Sequence, residues 1–325
     1  MHNKDLKIVF FGTPDFAVTS LKTIVENGYN VVGVVTATDK MAGRGHKLST
    51  SPVKNFALSK GLKILQPEKL KDPVFIEELK SLEADLFVVI AFRMLPEIVW
   101  KMPPLGTFNL HASLLPKYRG AAPINHAIIN GESKSGVTTF FLQQEIDTGD
   151  IIDRVEVEIC DTDDAGTLHD KLMDLGAELT LKTITAIAQG SLKTVPQDEL
   201  IEKGSVSCPA PKIFKDTGNI DWNKTADVIH NLVRGLSPHP GAWTLLKSDT
   251  TKPVEVKIFK TKVIEDKSNL SPGTVVVEGN RMMVACKDSF LEILELQPAG
   301  KKRMTTDAFL RGARLLNPQF EYKQN

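Results

Sequence analysis

The chain has 325 residues, 42% hydrophobic and 25% charged, which suits a soluble globular protein long enough for two domains with separate cores. Its three cysteines (Cys160, Cys208 and Cys286) lie too far apart for a disulfide framework or a Cys-x-x-Cys site, and no His-Glu-x-x-His pattern occurs; no metal is expected, and a reducing compartment is. The first residues lack the apolar core of a signal peptide and the longest apolar run, residues 86–92, is too short to span a bilayer, giving the expectation of a cytoplasmic protein without membrane contact.

In chain order, residues 7–11 predict a compact buried strand. It runs into Gly12-Thr13-Pro14-Asp15, where Thr13 is a cap candidate and Pro14 suits the first helical position. Phe16, Ala17, Leu21 and Ile24 carry that helix to a stop at Gly28. Residues 31–36 predict the next strand, Ser51-Pro52 a helix ending near Gly61, residues 62–65 a strand, and Asp72-Pro73 another helix. Residues 86–91 predict a strand without polar alternation, as expected when both faces are covered. Strand–helix alternation of this kind predicts an α/β fold with a parallel, doubly wound sheet.

The stretch 106–123 opens as a strand that places Asn109 and His111 on one face, since strand side chains repeat every second residue. It then breaks at Ser113-Leu114-Leu115-Pro116 and Arg119-Gly120. Such strand ends are where α/β proteins place chemistry. The pair alone is more simply a satisfied histidine beside a turn-forming asparagine. A helix follows from Pro123, then strands at 137–142 and 151–159, then a long helix over 165–189 with Leu168, Leu172, Leu175, Leu179 and Ile187 at helical spacing. These complete a first domain, residues 1–189. Residues 190–211, polar with three prolines, have a linker signature. Residues 212–325 hold a short helix near 225–234 and five short strands, which predict a small OB-like β-barrel.

Three features bear on chemistry. The first turn holds only Gly12 where a dinucleotide fold needs three glycines, which argues against a nicotinamide oxidoreductase. The loop 38–51 carries Lys40, Arg44, His46 and Lys47 among glycines, with no acid after Asp39; it is attractive to phosphate and equally ordinary as a solvated loop. Asp147-Thr148-Gly149-Asp150 is by itself a turn. Combined with Asn109 and His111 it offers more, because a carboxylate beside an imidazole orients it and favours its protonated form. Amide, imidazole and carboxylate together suit acyl transfer to an amine with no covalent enzyme intermediate. There is no Gly-x-Ser-x-Gly elbow, and no cysteine near that strand end. Residues 201–325 carry 19 Lys and Arg against 14 Asp and Glu, a modest pointer to an anionic partner that an uneven solvated surface explains as well.

The run Asn-Leu-His-Ala-Ser-Leu-Leu-Pro-Lys-Tyr-Arg-Gly-Ala-Ala-Pro-Ile from Asn109, with Gly136-Val-Thr-Thr and Asp147-Thr-Gly-Asp, resembles the folate-dependent formyltransferases. Three further stretches resemble the branch of that family acting on methionyl-tRNA: Phe11-Gly-Thr-Pro-Asp-Phe-Ala, the loop from Ala42 to Leu48 with Ser51-Pro-Val-Lys, and Pro238-His-Pro-Gly-Ala-Trp-Thr. The match runs from about Lys7 to Arg314. It implies a Rossmann-like catalytic domain of the formyltransferase fold and a C-terminal OB-like domain that binds tRNA. It also implies formyl transfer from N10-formyltetrahydrofolate to the α-amino group of methionine on initiator tRNA; no obligate protein partner is expected.

By the same resemblance Asn109, His111 and Asp147 are catalytic, and Ser113, Leu114, Leu115 and Pro116 form the cofactor-binding run. Phe92, Arg93, Met94, Leu95 and Ile146 wall the pterin pocket, although Phe92-Arg93-Met94-Leu95-Pro96 stands where many relatives carry Tyr-Gly and aliphatics. Phe16 matches the residue that meets the methionyl side chain, and Arg44, flanked by Lys40 and Lys47, the one that approaches the acceptor stem. Met41 stands where a proline is common. Lys301, Lys302, Arg303, Arg311 and Arg314 are candidates for tRNA phosphates, in which case binding falls steeply with salt. A formyltransferase for glycinamide ribonucleotide or an amino-sugar nucleotide shares the trio but needs neither the basic loop nor this second domain. An RNA-binding protein with a vestigial catalytic fold is the rival of another class.

Overall fold

A computed structural model of the chain describes residues 4–42, 47–201 and 208–323. Residues 1–120, 135–157 and 169–209 cluster into one compact unit, and residues 121–134, 158–168 and 210–325 into a second.

The first unit begins as expected with β1 (Lys7–Gly12), α1 (Asp15–Glu26) and β2 (Asn30–Val35). Pro14 occupies the cap position of α1 without a side-chain cap bond, so Thr13 does not cap it. A short hairpin follows, β3 (Lys40–Ala42) and β4 (Lys47–Ser49). Ser51 caps α2 (Pro52–Ser59) by accepting from the Lys54 N–H; Asp72 caps α3 (Pro73–Ser81) by accepting from that of Val74. Between them the strand expected at 62–65 shrinks to β5 (Ile64–Leu65). Then come β6 (Leu86–Ile90), the single-turn α4 (Glu97–Trp100) and β7 (Thr107–His111). Beyond α5 (Pro123–Ile129), which clusters with the second unit, lie β8 (Lys134–Phe141), β9 (Ile151–Glu158) and the long α6 (Ala165–Gln189).

The sheet order is β5-β2-β1-β6-β7-β8-β9, parallel through β7 and antiparallel from β7 to β8. The doubly wound core therefore ends in an antiparallel edge. The connection from β8 to β9 is too short for a crossover helix. Both faces are covered. Val9, Phe11, Phe87 and Val89 on one face pack with Phe75, Ile76 and Leu79 of α3 and Val99 of α4. Across the other face runs α6, where a Cβ on Gly176 would lie 2.7 Å from Leu110 Cδ2; glycine lets the helix approach β7 directly behind the strand end of interest. Thr183 of α6 bonds Thr139 of β8, and Thr185 bonds Tyr29.

Residues 190–201 carry structure of their own. Val195 bridges Ile151 and a 3-10 turn spans Gln197–Leu200. In the second unit α7 (Ala226–Leu236) is followed by β10 (Ala242–Ser248), β11 (Thr251–Ile264), β12 (Val275–Glu278), β13 (Arg281–Ala285) and β14 (Phe290–Pro298). Three further pieces were not foreseen from the residue pattern: β15 (Met304–Thr305), α8 (Thr306–Gly312) and β16 (Gln319–Glu321). The antiparallel path β12-β13-β14-β11-β10-β16 returns on itself through the bridge from Gln319 to Thr274, so the sheet curls into a barrel. Ile229, Val233 and Leu236 of α7 enter its core with Ile258, Val284, Leu291 and Phe320.

Candidate active site

The polar strand end forms where β7 leaves the sheet between β6 and β8. Asn109 sits opposite Val89 and Phe140, and His111 opposite Thr138. His111 is only 7% exposed. Its Nε2 lies 2.8 Å from the carbonyl of Tyr118. A carbonyl only accepts, so Nε2 carries a proton and donates, leaving Nδ1 to face the carboxylate of Asp147 at 3.8 Å. Asp147 Oδ2 accepts the Gly120 N–H at 2.9 Å. The Phe140 ring stands edge-on to the imidazole and backs it with apolar surface. Two residues of this cluster, Tyr118 (φ 63°) and Asp147 (φ 55°), hold left-handed backbone, which side-chain-bearing residues adopt at a cost and which concentrates at functional sites.

Asn109 completes the group in an unusual way: its Oδ1 is buried and has no hydrogen-bond partner. An unpartnered buried acceptor costs roughly 1–3 kcal/mol. Its persistence beside an imidazole–carboxylate pair fits a pocket built to receive a group carrying N–H donors.

The other expected residues are placed unevenly. Ser113 and Leu115 are fully buried and occupied with the loop itself. Ser113 Oγ donates to the Lys117 carbonyl, the Ser113 carbonyl accepts from Thr138 Oγ1, and Leu115 packs with Phe140 and Ile151. Leu114 and Pro116 are half-buried. Phe92 meets Phe11 edge-on and Leu95 enters the core below the sheet, whereas Met94 is 72% exposed. Arg93 bonds the backbone carbonyls of Pro67 and Glu68, which ties its charge to that neighbouring turn. Arg93, Met94 and Leu95, with Leu70, Lys71 and Lys101, line a cleft of about 900 Å³ that Asn109, His111 and Asp147 do not line. Ile146 is 62% exposed on the loop before Asp147. Phe16 is buried in α1, edge-on to His169 at 5.3 Å. Lys40 is exposed at the start of β3, Lys47 opens β4, and Arg44 lies outside the described residues.

Sequence reasoning missed Gln197. Buried in the stretch that looked like a linker, it donates from Nε2 to the carbonyls of Asp147 and Gly149 and accepts two bonds from Arg119. A lone glutamine after a proline in a polar segment carries no chemical signature, so nothing could have marked it.

Comparison with known proteins joins this geometry to a family. Residues 6–184 match the formyl transferase model and residues 212–314 the formyl transferase C-terminal domain model. Across 316 residues the chain is 54% identical to a methionyl-tRNA formyltransferase of Bacteroides fragilis, covering 97% of each; one from Phocaeicola vulgatus is 58% identical over 317 residues, 97% of this chain and 98% of the relative. The chain belongs to the methionyl-tRNA formyltransferase family. Among solved structures, an N-formyltransferase from Helicobacter canadensis in complex with folinic acid and dTDP-3-aminofucose aligns with a TM-score of 0.66 over 92% of this chain and 100% of that one. At 23% identity that likeness establishes the shared fold alone. For the formyltransferase fold, then, the two units supply an α/β sheet domain and an antiparallel β domain, as expected. Among the described residues no helix is long and apolar enough to cross a membrane, and no group of three or more His, Cys, Asp or Glu could hold a metal.

Proposed function

We propose that the chain transfers a formyl group from N10-formyltetrahydrofolate to the α-amino group of methionyl initiator tRNA, by direct attack of the amine. The observation that carries the residue assignment is the His111–Asp147 pair at 3.8 Å, with Asn109 two residues before the histidine on the same strand face and its Oδ1 buried without a partner. The bound folate supplies the formyl carbon. Free α-amino groups titrate near ~7.7–8.0, so a useful fraction of the acceptor is neutral at neutral pH. Asn109 offers its amide N–H groups to the formyl oxygen as negative charge gathers there and its Oδ1 to the incoming amine. His111 presents Nδ1, the ring atom not held by Tyr118, toward the same space. Asp147, anchored by the Gly120 N–H, orients the imidazole and assists proton movement from the attacking amine toward N10, so that the formyl carbon–N10 bond breaks and tetrahydrofolate leaves protonated. Losing one preorganised donor of this kind typically costs roughly 3–4 kcal/mol of barrier.

Around that centre, residues 113–116, 92–95 and Ile146 hold the folate. Ser113 and Leu115, with buried side chains, contact it through backbone, and the half-buried Leu114 and Pro116 add side-chain surface. Phe16 meets the methionyl side chain, and Lys40, Arg44 and Lys47 approach the acceptor stem. Residues 1–189 carry the chemistry, 190–211 connect, and 212–325 grip the tRNA through the cations of the barrel. The protein works in the cytoplasm, without a metal or an obligate protein partner.

A side-by-side assay with the formyl donor and three acceptors tests this: charged initiator tRNA, charged elongator methionine tRNA and glycinamide ribonucleotide. Only the first should be formylated. Turnover of the ribonucleotide alone would defeat the assignment, and turnover of none would favour a binding protein.

A further inference from the structure

Three successive residues hold the imidazole and carboxylate in register. Tyr118 receives the His111 Nε2 proton on its carbonyl, and Gly120 donates its N–H to Asp147. Between them Arg119 extends to Gln197, whose Oε1 accepts from Nε at 3.0 Å and from a terminal guanidinium nitrogen at 2.7 Å. The Gln197 Nε2 then donates to the backbone carbonyls of Asp147 at 2.9 Å and Gly149 at 2.8 Å. A primary amide offers two lone pairs and two N–H groups. All four are used here, on a side chain only 2% exposed.

We propose that Gln197 and Arg119 are positioning residues for formyl transfer, fixing the loop that carries Asp147 at the distance His111 requires. The left-handed backbone at Asp147 is intrinsically unfavourable and lies in a loop whose neighbour Ile146 is largely exposed. Such a turn keeps one geometry only when its surroundings over-determine it. Gln197 does so from behind, gripping the peptide carbonyls on either side of Thr148. The guanidinium charge on Oε1 polarises the amide and strengthens both N–H donors, so the two side chains act as one bridge. Asp147 is thereby held through its side chain by the Gly120 N–H and through its backbone carbonyl by Gln197, which Arg119 braces in turn. The stretch 190–211 thus supports the site instead of merely spanning a gap. A second tie from it, the Cys208 carbonyl, accepts the N–H of left-handed Tyr118 at 2.7 Å.

This inference rests on the proposed reaction, and the test separates the two. Full-length wild type, Gln197→Met, Arg119→Met and the double variant are assayed for formylation of charged initiator tRNA. Gln197→Met conserves volume and removes all four bonds; its kcat should fall about 10²-fold, the scale of an ångström-sized misplacement of a reacting group. KM for both substrates should stay within about threefold, since uniform binding is untouched. The double variant should be no worse than the poorer single one, because the pair forms one bridge. If Gln197→Met does not fold, Gln197→Glu carries the same expectation: it keeps an acceptor for Arg119 while turning an oxygen toward two carbonyls. Wild-type kcat in the folded Gln197 variant, or losses that simply add, overturns the positioning role alone. A wild type that formylates no tRNA defeats the proposed reaction and this role with it.

Discussion

Polar groups at the end of β7 and polar groups on the barrel are held in opposite ways. At the strand end the side chains are buried and tied to backbone: His111 to the Tyr118 carbonyl, Asp147 to the Gly120 N–H, Gln197 to two carbonyls. On the barrel the charges lie outside and answer one another. Lys247 pairs with Glu321, Arg303 with Glu295 while lying over Phe259, and Arg311 with Asp307. Buried polar networks specify a single arrangement and have no substitute when a member is lost. Exposed pairs contribute a median of only about 0–1 kcal/mol each, and the neighbouring charges cover for any one of them. Chemistry needs the first kind of order; a long anionic partner is served by the second.

The hardest blow to that contrast comes from Asn109 and His111. Asn109→Ala should lower kcat by about 10²–10³-fold while the melting temperature holds or rises, because the substitution removes a buried acceptor that the folded protein leaves unpaired. His111→Ala should lose turnover on a similar scale but also melt earlier, since it strands the Tyr118 carbonyl and opens a gap beside Phe140. Thermal melts alongside single-turnover rates check both. If Asn109→Ala proves clearly destabilised, its Oδ1 has structural work and the site is less specialised than argued.

A smaller effect is expected one loop away, at Gly149. A Cβ there would lie 1.7 Å from the Phe141 carbonyl oxygen, so backbone must shift. The displaced strand is the one whose Phe141 N–H bonds the Asp150 carbonyl, and Gln197 holds Gly149 itself. Gly149→Ala should cost about 1–3 kcal/mol of stability, as overpacking does, and reduce kcat by moving Asp147. Denaturant titration and rate together decide the matter. A stable variant with intact turnover would mean the loop tolerates displacement and that its geometry matters less than its charge.

Those two sites also mark where the sequence could and could not be followed. Asn109 and His111 were legible because a period of two fixes their shared face whatever surrounds them. The helices that begin at Pro52 and Pro73 were legible because Ser51 and Asp72 cap them locally. Asp147 was visible only as a turn until paired with the histidine. Gln197 was invisible, because all that distinguishes it is the company of Arg119, 78 residues away, and of two carbonyls 50 and 48 residues away, and long-range hydrogen bonding leaves no periodic trace. The barrel itself was legible in its short strands, but β16, which meets Thr274 through Gln319, was not: a strand of three residues has too little pattern to announce itself. Local chemistry writes itself into spacing, whereas the supports of a site are written only in the fold.

The mildest expected effect belongs to the barrel, at His230 on α7. Its Nδ1 lies 2.8 Å from Thr261 Oγ1 on β11. Burial first, and then the nearby Arg234 charge, hold the imidazole below its ordinary titration range, with Asp227 and Asp161 opposing weakly. The sign follows from linkage. On acidification through about 6.5 the unfolded chain takes up the proton before the folded one does, so stability is present above that pH and is lost progressively as pH falls toward the lower folded value. His230→Asn keeps a partner for Thr261 and cannot charge. The difference in urea midpoint between wild type and variant should therefore shrink, then turn in favour of the variant, as pH drops from neutrality toward 5, a window still above the range of ordinary carboxylates. A pH-independent difference would show that the imidazole relaxes toward water when protonated, and that the barrel forgives a half-buried titratable group as readily as it forgives a surface charge.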